Sequence, residues 1–223
     1  MRAELSVVIP TLDAEDDLSH CLPALTEGLA AGLIRELIIS DGGSRDATLG
    51  IAQEAGALIV VGRASRGGQI ARGAAAARGA WLLVLHADTV LPQGWAECVM
   101  RHLPSGRPAH FRLRFDRGGW PARLVAAWAN LRARRLHLPY GDQGLLISRA
   151  EYGHIGGCPD IPLMEDVAIA RALGARLTEL PMAATTSAAK YRRDGWLRRG
   201  ARNLSLLLRY LCGADPARLT RRY

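Results

Sequence analysis

Leu82-Leu83-Val84-Leu85-His86-Ala87-Asp88-Thr89 is an apolar run of strand character that ends in one carboxylate flanked by small or polar residues. A buried strand that delivers a lone aspartate to its C-terminal end is how open α/β sheets present a metal- or ligand-binding group at the sheet edge. Two earlier runs end the same way. Leu5-Ser6-Val7-Val8-Ile9 leads into Pro10-Thr11-Leu12-Asp13, and Glu36-Leu37-Ile38-Ile39-Ser40 leads into Asp41-Gly42-Gly43-Ser44. Three strand ends carrying carboxylates imply a single site.

Working outward from these runs, Asp13 is placed to N-cap a helix whose apolar positions Leu18, Cys21, Leu22, Leu25 and Leu29 follow the helical period, with Glu15, Asp16 and Asp17 in its first turn and Gly32 ending it. A helix over 46–55 and a strand over 57–61 complete a βαβαβ order, which predicts a parallel sheet. Further on, a helix over 69–78, strands over 81–85, 110–115 and 144–148, and helices over 120–136 and 165–173 make the sheet mixed in its second half. At 223 residues, 49% of them hydrophobic, the chain can bury a sizeable α/β core as one domain.

The formal net charge of +8 falls on one segment. Residues 1–189 hold 19 basic and 19 acidic side chains; in 190–223, Lys190, Arg192, Arg193, Arg198, Arg199, Arg202, Arg209, Arg218, Arg221 and Arg222 face only Asp194 and Asp215. The neutral main body, with an aromatic content of only 5% over the whole chain, leaves few stacking platforms and argues against nucleic acid as a partner. The basic tail instead suits an anionic substrate such as a nucleoside diphosphate, or an anionic membrane surface. In that tail Trp196, Leu197, Leu204, Leu207, Leu208 and Leu211 share a helical stripe, readable either as packing on the main body or as peripheral membrane contact. The four cysteines form no C-x-x-C pair or zinc-site spacing and read as reduced, mostly buried thiols. Pro10 interrupts the first apolar run at once and the longest uncharged run is Leu180 to Ala189, so neither a secretory signal nor a membrane span is expected, and the location expected is cytoplasmic.

Four polar clusters can carry chemistry. Asp41-Gly42-Gly43-Ser44 offers an acceptor for ribose hydroxyls or a base edge beside glycines that let a ligand approach the backbone, or it is a tight turn with Asp41 as its cap. Asp88 can bind a hard divalent cation, with His86 two residues away on the same side of an extended strand; capping and burial are the plainer roles for the pair. Glu165-Asp166 open a helix among its free N–H groups, where a carboxylate remains ionised and can take a proton from a hydroxyl, although capping alone also accounts for them. Tyr140-Gly141-Asp142-Gln143-Gly144 places polar groups in a glycine-flanked turn.

Taken in order, the segments 7–15, 38–48, 85–89 and 141–144 and the pair Glu165-Asp166 resemble glycosyltransferase family 2, which has the GT-A fold. Within that family the chain is similar to a small subgroup labelled for arsenosugar biosynthesis, which carries His-Ala-Asp-Thr and a Gly/Arg-rich run before a Gln, here Gly62-Arg63 to Gln69. The resemblance implies an α/β, GT-A-type, Rossmann-like nucleotide-sugar-binding domain with a mixed, mostly parallel central sheet flanked by helices. It divides the chain into a catalytic domain over 1–189, with a nucleotide-binding half (1–105) and an acceptor-binding half (106–189), and a basic helical tail over 190–223 packed on it.

Residue by residue, the resemblance puts Pro10, Thr11, Asp13 and Glu15 in the nucleotide pocket, Asp41 with Gly42 and Gly43 at the base, and Arg66 with the following glycines near the diphosphate. Gln69 and His86 belong to the same nucleotide set. Asp88 would hold Mg²⁺ or Mn²⁺, Asp166 with Glu165 beside it would be the base, and Asp142 and Gln143 would border the sugar or acceptor. Donor and acceptor would be a UDP- or GDP-sugar and a small-molecule or lipid-linked hydroxyl, joined in one inverting displacement. The commoner family pattern is Asp-x-Asp; His86 stands at its first position, which removes a negative charge from the metal site. Arg192, Arg193 or Trp196 would lie over the diphosphate. The alternatives are a noncatalytic nucleotide-sugar-binding protein and a sugar-1-phosphate nucleotidyltransferase. The latter is expected to have a Gly-rich basic loop after the first strand, where Pro10-Thr11-Leu12-Asp13 stands.

Overall fold

The computed structural model describes residues 3–220. Its first half runs β1 (Leu5–Thr11), α1 (Glu15–Ala30), β2 (Ile34–Asp41), α2 (Thr48–Glu54), β3 (Leu58–Val61), α3 (Arg66–Ala76) and β4 (Trp81–Val84). β1 pairs in parallel with both β2 and β4, and β2 with β3. Strand side chains alternate between faces. Val7, Ile9, Ile39 and Leu83 pack with Leu18, Cys21 and Leu25 of α1 on one face, and Val8, Ile38, Leu82 and Val84 with Ile70 and Ala74 of α3 on the other. Burial on both faces is why these runs are apolar without alternation.

The second half adds β5 (Thr89–Val90), α4 (Trp95–His102), β6 (Ala109–Phe115), α5 (Gly119–Leu136), β7 (Leu145–Ser148), α6 (Arg149–His154), α7 (Glu165–Leu173), β8 (Thr178–Thr186), α8 (Ala189–Asp194), α9 (Trp196–Leu211) and α10 (Pro216–Thr220). The sheet order is β3-β2-β1-β4-β7-β6-β8-β5, with β7 antiparallel to β4 and to β6, and β8 parallel to β6. This is the mixed, mostly parallel α/β architecture expected. Strand order reverses between β1 and β4, and the crevice at the carboxyl ends of such strands is where open sheets bind ligands.

Three local expectations are corrected. Asp13 does not cap α1: its φ is +47°, its Oδ1 accepts from the Arg45 amide at 2.8 Å, and Ala14 occupies the cap position. The carboxylate ties the β1–α1 loop to the β2–α2 loop instead. β4 ends at Val84, so His86 and Asp88 do not alternate along an extended strand; they sit in a turn closed by the Thr89 amide donating to the His86 carbonyl at 3.1 Å. The tail stripe divides. Trp196 stacks on Tyr191 and Leu207 is buried, while Leu197, Leu204, Leu208 and Leu211 face outward.

Among the elements with no expectation are β8 and α4. β8 carries Pro181, which marks a strand as improbable; its register against β6 jumps between His110 and Arg112, and the irregularity accommodates the missing N–H. α4 begins after Gly94 at φ +84°, and its first amides, Gly94 and Ala96, donate to the Glu27 carboxylate of α1, a cap supplied from far along the chain. Arg221 and Arg222 lie outside the described residues. Among the described residues no helix is long and apolar enough to cross a membrane.

Candidate active site

Two cavities meet at the β1–β4 crevice and share Arg66, His86, Asp88 and Lys190. The larger, about 370 Å³, is lined by Pro10, Thr11, Asp17, Ser65, Gln69 and Pro162 as well. The smaller, about 110 Å³, continues toward Tyr140, Asp142, Asp166, Tyr191, Arg199 and Asn203. The first lies over the half of the sheet made by β1 to β4, and the second is roofed by α8 and α9.

On the larger side several expected ligand groups are engaged within the protein. Asp41 is fully buried, and its oxygens accept from Thr11 Oγ1, the Gly43 and Ser44 amides and Ser44 Oγ. Burial pushes its carboxyl up, but these donors outweigh it and hold the group below the usual carboxylate range. Gln69 is also buried, donating from Nε2 to the carbonyls of Thr11 and Ser40 and accepting at Oε1 from the Ser65 amide. Glu15 accepts from the Ala47 amide at 2.8 Å. Gly42 packs closely on Ala64 and Gln69, and Gly67 and Gly68 leave room for the 159–161 loop against the first turn of α3. Thr11, Pro10, Gln69 and Arg66 line the cleft itself; Asp41, Gly42, Gly43, Asp13 and Glu15 form the loop framework behind it.

Asp88 carries one buried oxygen, Oδ1, that accepts no hydrogen bond, while Oδ2 lies 3.6 Å from Lys190 Nζ. Among the described residues no three His, Cys, Asp or Glu side chains gather as a metal ligand set. The donor set therefore fits a cation that takes one carboxylate from the protein and completes its shell with phosphate oxygens and water, as Mg²⁺ commonly does. His86 is held neutral: burial first, then Arg66, pushes its imidazole down to about 4, against the pull of Asp88 and Asp166. A Cβ on Gly141 would collide with His86 Nε2, so only glycine permits this approach of the 140–144 turn.

On the smaller side, Asp166 accepts from the Gly141 amide through Oδ2 at 2.8 Å and from the Val167 amide through Oδ1 at 2.7 Å. Asp142 faces the same pocket with a buried, unpartnered Oδ1, and burial, opposed by Arg132 and aided by Asp88 and Asp166, pushes it up to about 7. Gln143 does not reach this pocket; it is buried, donating to the Phe111 carbonyl and accepting from the Tyr140 amide.

Glu165 departs from expectation. It is fully buried behind Asp166, 3.7 Å from Arg66 Nε, and burial with Asp166 beside it pushes its carboxyl up to about 8. Burial and the Asp166 carboxylate beside it favour its protonated form, against the pull of Arg66. A raised carboxyl binds its proton more tightly folded than unfolded. Its stability is therefore full below the unfolded value near 4.5 and falls as pH rises toward about 8. The slope per group is at most about 1.4 kcal/mol per pH unit. Glu165→Gln is expected to lose less thermal stability than wild type between pH 5 and pH 8; equal losses in melting scans would show that Glu165 does not titrate there.

Lys190, Tyr191, Arg199 and Asn203 were not singled out as site residues. They reach the pocket because β8 returns the chain to the sheet and α8 turns over its edge, where Asp194 accepts from Arg193, Arg199 and Arg202. The basic side chain at Asp88 is Lys190, while Trp196 packs edge-on against Phe115. Only the concentration of basic residues after 189 hinted at this.

A crevice at the strand switch, walled by a βαβ half and roofed by a mixed half, defines an α/β protein of the GT-A type. The model described as "Glycosyl transferase family 2" matches residues 6–143, and the chain belongs to that family. Among solved structures it is similar to S. aureus TarS 1–349 in complex with UDP-GlcNAc (14% identity, TM-score 0.62, 82% of this chain and 58% of that one). It is also similar to glucosyl-3-phosphoglycerate synthase from Mycobacterium tuberculosis in complex with Mn²⁺, UDP and glucosyl-3-phosphoglycerate (22% identity, TM-score 0.65, 96% of this chain and 81% of that one). The chain thus spans under two thirds of the TarS structure and about four fifths of the synthase. At these identities the likeness is one of fold. No curated protein sequence matches the chain.

Proposed function

We propose that this chain transfers a sugar from a nucleoside-diphosphate sugar, UDP- or GDP-linked, to an acceptor hydroxyl with inversion at the anomeric carbon. The observation that carries the reading is the meeting of the two cavities. The larger has the size of a nucleotide site, and the smaller holds Asp166 on the far side of Arg66, His86, Asp88 and Lys190. The UDP complexes of the two structural relatives support a uridine donor, and the Mn²⁺ of the synthase supports a divalent cation.

Asp88 would hold Mg²⁺ or Mn²⁺, which supplies positive charge to the diphosphate leaving group. Arg66 and Lys190 add fixed cations at the same junction, where negative charge builds on the departing diphosphate. Asp166, oriented by the Gly141 and Val167 amides, takes the proton of the attacking hydroxyl. Asp142 binds an acceptor or sugar hydroxyl through its unpartnered oxygen. Neutral His86 serves the donor without competing for charge. The likeness to the small subgroup rests on His86-Ala87-Asp88-Thr89 and the Gly/Arg-rich run before Gln69, and it names no acceptor.

Calorimetric titration of UDP, GDP, CDP and dTDP, each with and without Mn²⁺, tests the donor. Tighter binding of one diphosphate in the presence of Mn²⁺ is expected, and it names the base. If none binds under either condition, the nucleotide-sugar reading fails. A retained anomeric configuration in the product would overturn the single displacement.

A further inference from the structure

The net charge of +8 has a structural address. α5 and α9 pack against each other, carry four arginines each and have no acidic residue, so the rest of the chain balances 21 basic with 21 acidic side chains. Arg199 and Arg202 are paired with Asp194 and Arg134 with Glu179. Arg123, Arg135, Arg198 and Arg209 are exposed and make no ion pair among the described residues.

The same two helices also expose apolar residues. On α5, Trp120, Leu124, Trp128 and Leu131 recur at helical spacing, and on α9 Leu197, Leu204, Leu208 and Leu211 do so. Trp120 and Leu197 are each 70% exposed. The stripes meet at a crevice lined by Trp128 and Leu204 at its outer end and by Tyr140, Asp142 and Asn203 further in. The last three also line the pocket that holds Asp166.

We propose that the joint face of α5 and α9 seats this protein on an anionic lipid bilayer, with the Trp128–Leu204 crevice opening the acceptor pocket toward the membrane. Tryptophan and leucine enter the interfacial layer, and long arginine side chains keep their stems apolar while their heads reach lipid phosphates. Charge complementarity selects this occupant. A second copy of the chain would set unpaired arginines against their own kind, and the outer surface of a nucleic acid duplex is phosphate and sugar, with no apolar layer to take the leucines. The surface is larger than the tail stripe alone, because α5 supplies both exposed tryptophans.

Flotation with vesicles of phosphatidylcholine, and of phosphatidylcholine containing about one third phosphatidylglycerol, tests the surface. Wild type is expected to float with the anionic vesicles, to remain behind with the neutral ones, and to detach in high salt. Trp120→Ser combined with Leu197→Ser, neither of which lines the three cavities described above, is expected to lower partition about tenfold or more by removing apolar area. Thermal unfolding provides the fold control. The proposal is overturned if wild type ignores anionic vesicles, or if the double variant floats equally well. It is overturned too if sedimentation shows a dimer that the double variant dissolves, which would assign the face to a second copy. None of these readouts depends on sugar transfer, so the outcome is separate from that of the donor titration.

Discussion

Asp166→Asn is expected to lower sugar transfer by about 10²- to 10⁴-fold, the range a positioned general base contributes, while nucleoside diphosphate affinity stays near that of wild type. The amide is close in shape to the carboxylate and keeps one oxygen for the Gly141 N–H, which holds the 140–144 turn, while its NH2 takes the place of the oxygen that accepts from the Val167 amide. The capacity to accept a proton is lost, together with one hydrogen bond inside the first turn of α7. Transfer rates with saturating donor, alongside a binding isotherm for the diphosphate, separate these two effects. Loss of donor affinity in parallel with rate would mean that Asp166 serves the donor and that the base lies elsewhere in the pocket, with Asp142 the next candidate. The choice of Asp166 over Glu165 rests on placement. The former lines the pocket, and the latter is sealed beneath it, where burial favours its neutral form.

Asp88→Ala is expected to abolish the Mn²⁺-dependent part of nucleotide binding and to reduce transfer by about a hundredfold or more, since charge stabilisation by a metal is worth several kcal/mol. Without metal the outcome differs. Lys190 Nζ lies 3.6 Å from Asp88 Oδ2, and removal of the carboxylate leaves that ammonium to the phosphates. Diphosphate affinity in the presence of a chelator is therefore expected to be equal to or higher than that of wild type. Titrations with and without Mn²⁺ read both effects, and an undiminished response to Mn²⁺ in the variant would remove Asp88 from the metal site.

The apolar runs made the sheet legible, because strands buried on both faces leave little choice of residue: β1, β2, β4 and the edge of the crevice follow from Val7 to Ile9, Leu37 to Ser40 and Leu82 to Leu85. The carboxylates at their ends were legible for the same reason. What these groups bind was harder to read. Asp41, Gln69 and Gln143 look like ligand groups in a linear sequence, yet each is met by backbone or hydroxyl partners contributed by segments distant in sequence. Glu165 shows the same limit electrostatically. Its position at a helix start favours ionisation, whereas the burial that reverses this comes from packing. β8 was hidden by Pro181, and the roof residues Lys190, Arg199 and Asn203 by a chain reversal with no local signal.

The cross-ties of Gln69, Thr11 and Asp41 bear on how binding energy is used. Gln69 joins the carbonyls at the ends of β1 and β2, and Asp41 closes its own loop through Thr11, Gly43 and Ser44. The floor of the larger cavity is thus rigid before any ligand arrives. For the sugar transfer proposed above, little of a donor's contact energy would be consumed in ordering loops, and more would remain for affinity or for interactions that strengthen only as the glycosidic bond breaks. A preorganised floor leaves discrimination to the walls around it, Pro162 and Leu163 of the loop on α3 and Lys190 of the α8 roof. Changes in sugar preference among related chains are thus expected to accumulate there, with the strand ends left alone.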